Sequence, residues 1–437
     1  MLILRRTILI IVGLLLVLSL ATNIWAANSR IDVITVKGTI NPVLTDYIKR
    51  GIEQAEDTGA SFVIIQMDTP GGLDTAMRDI IQSIINSRIP VVVYVAPSGA
   101  RAASAGMYIT LSAHIAAMAP NTATGAATPV QMGEGQQISE ELQKKIINDA
   151  AAYARSLAES RGRNPEWAEQ AVREGVSATA KEALELNVID MIAADLNTLV
   201  AQLDGREVTM LGGNTVTLDT QDATVNYLDM TLVEDFLYTI ADPNIAYLLL
   251  SLATLGIMVE IFNPGLIFPG VVGGISLLLA FYSLGVLPVN WAGVLLIVLA
   301  FGLFVAEVLT TTFGLFTAGG IISLVIGSLI LFQGASPVFR VDPWLIAIVT
   351  ITITATFTFV INRAIIAHRR QAKTGREELI GKTAVVKVAL DPEGTIFFKG
   401  ELWEALSESG RVEPREEVTI TKVDGLKLNV VKKGRKE

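Results

Sequence analysis

Hydrophobic and polar positions change rhythm three times along the chain. Residues 8–20 are an apolar run behind Arg5 and Arg6, and the run gives way through Ala26 and Ala27 to polar Asn28 and Ser29. Charge, apolar stretch and small residues in that order read as an export signal over 1–27. Whether it is a cleaved signal peptide or a retained N-terminal anchor, residues 30 onward leave the cytosol. From 30 to 232 short apolar runs alternate with helical periodicity. Strands are expected at 31–40, 61–67, 90–95 and 114–118, and helices at 42–56, 74–86 and 140–160. In the second helix Met77, Ile80, Ile81, Ile84 and Ile85 recur three and four apart. Strands alternating with helices imply an α/β domain with a parallel sheet.

A different pattern fills 244–366. Five apolar stretches, near 245–262, 266–286, 292–309, 313–332 and 344–366, each approach the roughly 20 residues that cross a bilayer. Glu260 and Glu307 end two of them, each followed by a Gly-Leu step and a glycine-rich apolar stretch, a weak internal repeat of a helical hairpin whose glycines permit close packing. Arg363, His368, Arg369, Arg370, Lys373 and Arg376 crowd behind the last stretch, which places that end in the cytoplasm. An odd number of spans then puts the α/β domain on the extracytoplasmic side. Residues 378–432 return to short strands, at 383–390, 394–402, 418–423 and 427–431, broken by the turns at Asp391-Pro392-Glu393-Gly394 and Asp424-Gly425. They suggest a small all-β OB-like barrel.

Composition narrows the chemistry. The absence of cysteine removes disulfides, thiol catalysis and thiolate metal sites. No metal or other cofactor is implied. A net charge of −9 supplies no basic field for nucleic acid. The barrel carries few aromatics (Phe397, Phe398, Trp403) among charges of both signs, so docking is favoured over oligonucleotide binding.

Two glycine-containing segments carry the candidate chemistry. Asp68-Thr69-Pro70-Gly71-Gly72 follows a buried strand; alone it is an ordinary strand-to-helix turn. Ala103-Ser104-Ala105-Gly106 opens a helix, where a serine is far more often an N-cap than a nucleophile. Together they offer what amide hydrolysis needs: a hydroxyl, and backbone N–H groups of Gly72 (or Gly71) and Ala105 to hold an oxyanion. Ser98, directly after Pro97, is the lesser nucleophile. A base comes by elimination. His114 sits in an apolar strand as a core histidine, and His368 lies beyond the membrane region. Among Lys37, Lys49, Lys144, Lys145 and Lys181, only Lys144 and Lys145 open a long helix, and its periodicity leaves them nearly tied.

The segments Asp68-Thr-Pro-Gly-Gly, Ala102-Ala-Ser-Ala-Gly-Met-Tyr-Ile and Ala117-Met-Ala-Pro-Asn-Thr-Ala-Thr-Gly-Ala resemble the long form of the NfeD family, membrane-bound proteases related to ClpP and to signal peptide peptidase. The resemblance runs the length of the chain. It implies a ClpP/crotonase-like protease domain over 30–232, a membrane domain over 244–366 and an OB-like barrel over 378–432. It implies a Ser-Lys dyad of Ser104 and, counting back from Tyr153, Lys145, with Lys144 as the second choice. It also implies a stomatin-like membrane partner and substrates with hydrophobic segments. Apolar residues around Met107 and in the 120–135 loop agree with such substrates, and a homo-oligomer, dimer or larger, is expected. Two other readings share the pattern: a crotonase-like acyl-thioester enzyme, and a non-catalytic membrane scaffold working with the stomatin-like partner.

Overall fold

The structure is a computed structural model and describes residues 29–129, 139–262, 265–310, 314–332, 339–369 and 376–434. The expected signal at 1–27 lies outside the described residues. Two compact units form, one holding residues up to 305 and 314–352, the other holding 306–313 and 353–437.

The N-terminal region is built on six parallel strands: β1 (Arg30–Lys37), β2 (Phe62–Asp68), β3 (Val91–Val95), β5 (Ile115–Met118), β8 (Met191–Ile192) and β11 (Thr224–Tyr227). Their order is β11-β1-β2-β3-β5-β8. Every residue of β3 is buried, because the sheet is covered on both faces. One face presents Phe62, Ile64, Val92, Tyr94 and Ala117 to Leu199 and Leu203 of α7 (Leu196–Leu203) and to Val208 and Leu218 beside the hairpin of β9 (Glu207–Thr209) and β10 (Thr215–Thr217). Val63, Ile65, Val91 and Val93 alternate to the other face and are equally buried. Helices α1 (Pro42–Asp57), α2 (Asp74–Ile85) and α3 (Ala105–Ser112) pack in succession on the strands. Each such aliphatic side chain contributes about 1.5–3 kcal/mol by leaving water. Local signals set the helix starts: Asn41 caps α1 by accepting from Leu44 N–H at 2.9 Å, with Pro42 in its first turn.

A second, three-stranded sheet is not apparent from periodicity. It joins β4 (Arg101–Ala103), β6 (Ala123–Gly125) and β7 (Ser177–Thr179), each only three residues long. Helices α4 (Glu140–Ser160), α5 (Pro165–Arg173) and α6 (Ala180–Glu185) complete the region. Between β11 and the first apolar helix lies α8 (Leu232–Ile240).

Five apolar helices follow: α9 (Pro243–Phe262), α10 (Phe268–Val286), α11 (Trp291–Leu309), α12 (Leu315–Ile330) and α13 (Pro343–Arg369). Among the described residues α9, α10 and α11 are long and apolar enough to cross a bilayer. Glycines bring the hairpins together. A Cβ on Gly273 would sit 2.7 Å from Ile257 N, and one on Gly327 would sit 2.9 Å from Leu296 Cβ.

The C-terminal strands β12 (Thr383–Val388), β13 (Glu393–Phe398), β14 (Glu401–Ser407), β15 (Glu417–Asp424) and β16 (Lys427–Lys432) close into a barrel in the order β12-β13-β14-β16-β15. The single strand expected at 394–402 is instead a hairpin. Lys399 (φ 47°) and Gly400 (φ 92°) turn the chain with two positive φ angles, the geometry of a tight hairpin turn. The α/β domain, the apolar helices and the all-β barrel thus follow one another in the order the sequence implies.

Candidate active site

The segment after β2 runs on beside β4. Thr69 N–H donates to Arg101 O at 2.7 Å, and Ala103 N–H donates to Thr69 O at 3.1 Å. Arg101 N–H donates to Asp68 Oδ1 at 3.1 Å. The glycine segment and the serine segment are therefore zipped together through β4. Ser104 follows with φ 52° and ψ −116°, a conformation that costs roughly 1–3 kcal/mol for a residue with a Cβ. Its N–H is held by Gly125 O at 2.9 Å. Although Ser104 occupies the N-cap position of α3, its side chain makes no capping hydrogen bond. The hydroxyl is thus not spent on the helix.

Gly71, at φ 115°, passes directly against this serine. A Cβ there would lie 2.7 Å from Ser104 Cβ and 3.3 Å from Ser104 Oγ. Its N–H is already bonded to Thr69 Oγ1 at 3.0 Å. By contrast, the N–H groups of Gly72 and Ala105 have no acceptor among the described residues. Gly72 has no room for a side chain, since a Cβ would strike the Ile40 carbonyl. Ala105 begins α3, at the positive end of its dipole. Of the two glycines, Gly72 is the one with a donor to offer. Thr69, whose hydroxyl occupies Gly71, carries no sequence signal for that role.

The lysines are placed differently. Helix α4 lies beside α3: Tyr108 Oη donates to Ala150 O at 3.2 Å, and the Tyr108 and Tyr153 rings stack at 6.0 Å. Arg161 Nε donates to Ser112 O at 2.9 Å, so the two helices run in the same direction. Ile146, one turn before Ala150, is exposed. Lys145 and Lys144 precede it and are both exposed in the single chain. The structure brings together Ser104, Gly71, Gly72 and Ala105, while Lys144 and Lys145 are both exposed. The loop at 130–138 lies outside the described residues.

Other groups are excluded by their surroundings. Burial, reinforced by the Arg161 and Arg163 cations, pushes His114 down to about 3. Its Nδ1 accepts from Val91 N–H at 3.2 Å, while Nε2 is buried without a partner among the described residues. The expected core histidine is only half satisfied. Burial also raises the Tyr108 hydroxyl above its ordinary value. Ser98 is exposed and accepts from Asn121 Nδ2 at 3.2 Å. Met107 is fully buried in α3 and cannot meet a substrate. One buried cluster has no sequence signature. Arg163 donates to Leu111 O (2.7 Å) and Ala113 O (2.9 Å) at the end of α3, and to Asp190 Oδ2 (2.6 Å).

Three family models match the chain: "NfeD1b, N-terminal domain" over 30–232, "NfeD integral membrane domain" over 244–363, and "NfeD-like C-terminal, partner-binding domain" over 376–432. The chain is 40% identical to the membrane-bound protease PH1510 of Pyrococcus horikoshii, over 98% of both chains. It is 29% identical to membrane protein NfeD1b of Bacillus subtilis, over 97% of this chain and 98% of that one. Among solved structures, a 1510-N membrane-bound stomatin-specific protease in complex with a substrate peptide is 38% identical. It matches 49% of this chain and 98% of its own, with a TM-score of 0.46.

Proposed function

The chain belongs to the NfeD family of membrane-bound proteases, and from that premise we propose that it is a serine endopeptidase of the ClpP/SppA class with Ser104 as nucleophile. The observation that carries this reading is an unspent hydroxyl, held at positive φ against Gly71. The unbonded N–H groups of Gly72 and Ala105 support the oxyanion assignment.

In the proposed cycle a neutral lysine, Lys145 with Lys144 as second choice, takes the Ser104 proton as Oγ attacks a peptide carbonyl. The N–H groups of Gly72 and Ala105 hold the oxyanion. The ammonium returns its proton to the leaving amine, and a water deprotonated by the same lysine cleaves the acyl-enzyme. An amine is neutral near pH 7 only when water is kept from it. Leu142 and Ile146 flank the lysines and are exposed apolar residues. An apolar substrate segment, or a second copy of the chain, seated on that turn would supply the cover. That preference suits substrates with hydrophobic segments.

The partner proposal is a stomatin-like membrane protein docking on the barrel at 376–432. The partner-binding description of that domain supports the docking role, and the family resemblance supplies the kind of partner. The α/β domain is proposed to lie outside the cytoplasm and the barrel inside it, on the strength of the basic residues that follow the last apolar stretch. The test of the activity is cleavage of an apolar peptide by the full chain in detergent. Loss on Ser104→Ala is expected, and undiminished cleavage by that variant overturns the assignment.

A further inference from the structure

Helix α8 has two unlike faces. Thr231 and Glu234 close a capping box at its start. Glu234 pairs with Arg50 of α1 at 2.7 and 2.8 Å, and Tyr238 Oη donates to Lys37 O at 2.9 Å. Glu234 and Tyr238, four apart, thus bind one face of α8 to the α/β domain. Leu232, Val233 and Phe236 lie on the opposite side, three and four apart, and are 91%, 66% and 49% exposed.

The end of α8 is fixed at one end of the apolar helices. Ser283 Oγ, near the end of α10, donates to Ile240 O at 2.6 Å. Asp342 N–H donates to Asn244 Oδ1 at 2.8 Å, and Asn290 N–H donates to Leu331 O at 2.8 Å. The starts of α9, α11 and α13 and the ends of α10 and α12 therefore gather at the same level. Tyr282, Trp291 and Trp344 are exposed there, the placement of an interfacial aromatic belt. Ala241 and Asp242 separate α8 from α9, with Asp242 Oδ1 accepting from Asn244 N–H at 2.8 Å, so α8 is not a continuation of the span.

We propose that α8 lies in the membrane interface, with Leu232, Val233 and Phe236 dipping into the boundary between headgroups and acyl chains. It is a second attachment that holds the α/β domain at a set height over the bilayer, beyond the tether of α9. Neither Ser104 nor either lysine enters this assignment.

Because the chain has no cysteine, single nitroxide labels can be placed cleanly. The full chain carrying Val233→Cys or Phe236→Cys is reconstituted in phosphatidylcholine vesicles. Collisions of each label with oxygen and with a water-soluble nickel complex are then measured, with Glu207→Cys on exposed β9 as reference. Lipid insertion predicts high oxygen access and strongly reduced nickel access at both positions. Nickel access equal to that at position 207 would overturn the proposal, because the face would be in water. Exclusion of both relaxants would also overturn it, because a second copy or another protein would cover the face.

Discussion

Replacing Gly71 by alanine tests the packing of the site most sharply. The new Cβ would lie 2.7 Å from Ser104 Cβ and 3.3 Å from both Ser104 Oγ and Ala103 O. Carbon atoms rest at about 3.5–4.0 Å, so the serine must retreat by about 1 Å. A misplacement of that size costs on the order of 100-fold in rate. Alanine at φ 115° adds roughly 1–3 kcal/mol of backbone strain. Gly59→Ala is the control, since it also has positive φ, at 72°, but nothing lies within 4 Å of the added atom. The assay pairs kcat/KM on an apolar peptide with the urea midpoint, on the full chain in detergent. Gly71→Ala should lose both stability and about two orders of magnitude in kcat/KM. Gly59→Ala should lose stability alone. Wild-type kcat/KM in a folded Gly71→Ala variant would refute the close approach of this glycine to the nucleophile.

Other consequences can be measured on the same preparation. Lys145→Ala should lower kcat by about 100-fold or more while Lys144→Ala leaves most activity; the reverse result would move the base to Lys144. Arg163→Met leaves Asp190 and the last carbonyls of α3 without their buried cation. It should cost about 3–5 kcal/mol in urea unfolding, and an unchanged midpoint would show that the cation does not hold the helix. His114 titrates at about 3 when folded and near 6.5 when unfolded. Between those values the unfolded chain binds a proton that the folded chain refuses. Stability is therefore complete above about pH 6.5 and falls as pH drops toward 3, by up to about 1.4 kcal/mol per pH unit. His114→Gln should flatten the urea midpoint across that window; an unchanged slope would remove the histidine from the acid response.

Much of the architecture was legible because periodicity over many residues encodes it. The buried runs at 61–67 and 90–95 are too short for helices and too apolar for a half-exposed sheet, and the first three stretches after 244, now α9, α10 and α11, have the length and hydropathy of membrane helices. The barrel's turns announced themselves at Asp391-Pro392 and Asp424-Gly425, while Lys399-Gly400 escaped notice inside an apolar run. Three-residue strands such as β4 leave no periodic trace, so the link that joins Thr69 to Ala103 was invisible. Ser104 was legible as a serine between small residues at a helix start. The division of labour between Gly71 and Gly72 was not, since it depends on where the Thr69 hydroxyl points. Lys144 and Lys145 stay tied, since both are exposed on the same turn of α4.

The central claim is that Ser104 is an activated nucleophile. The direct measurement treats the full chain in a bilayer with a fluorophosphonate and locates the adduct by mass spectrometry of its peptides. A single adduct on Ser104, lost in the Ser104→Ala variant, is the predicted result. A folded chain that carries no adduct on Ser104 would contradict it.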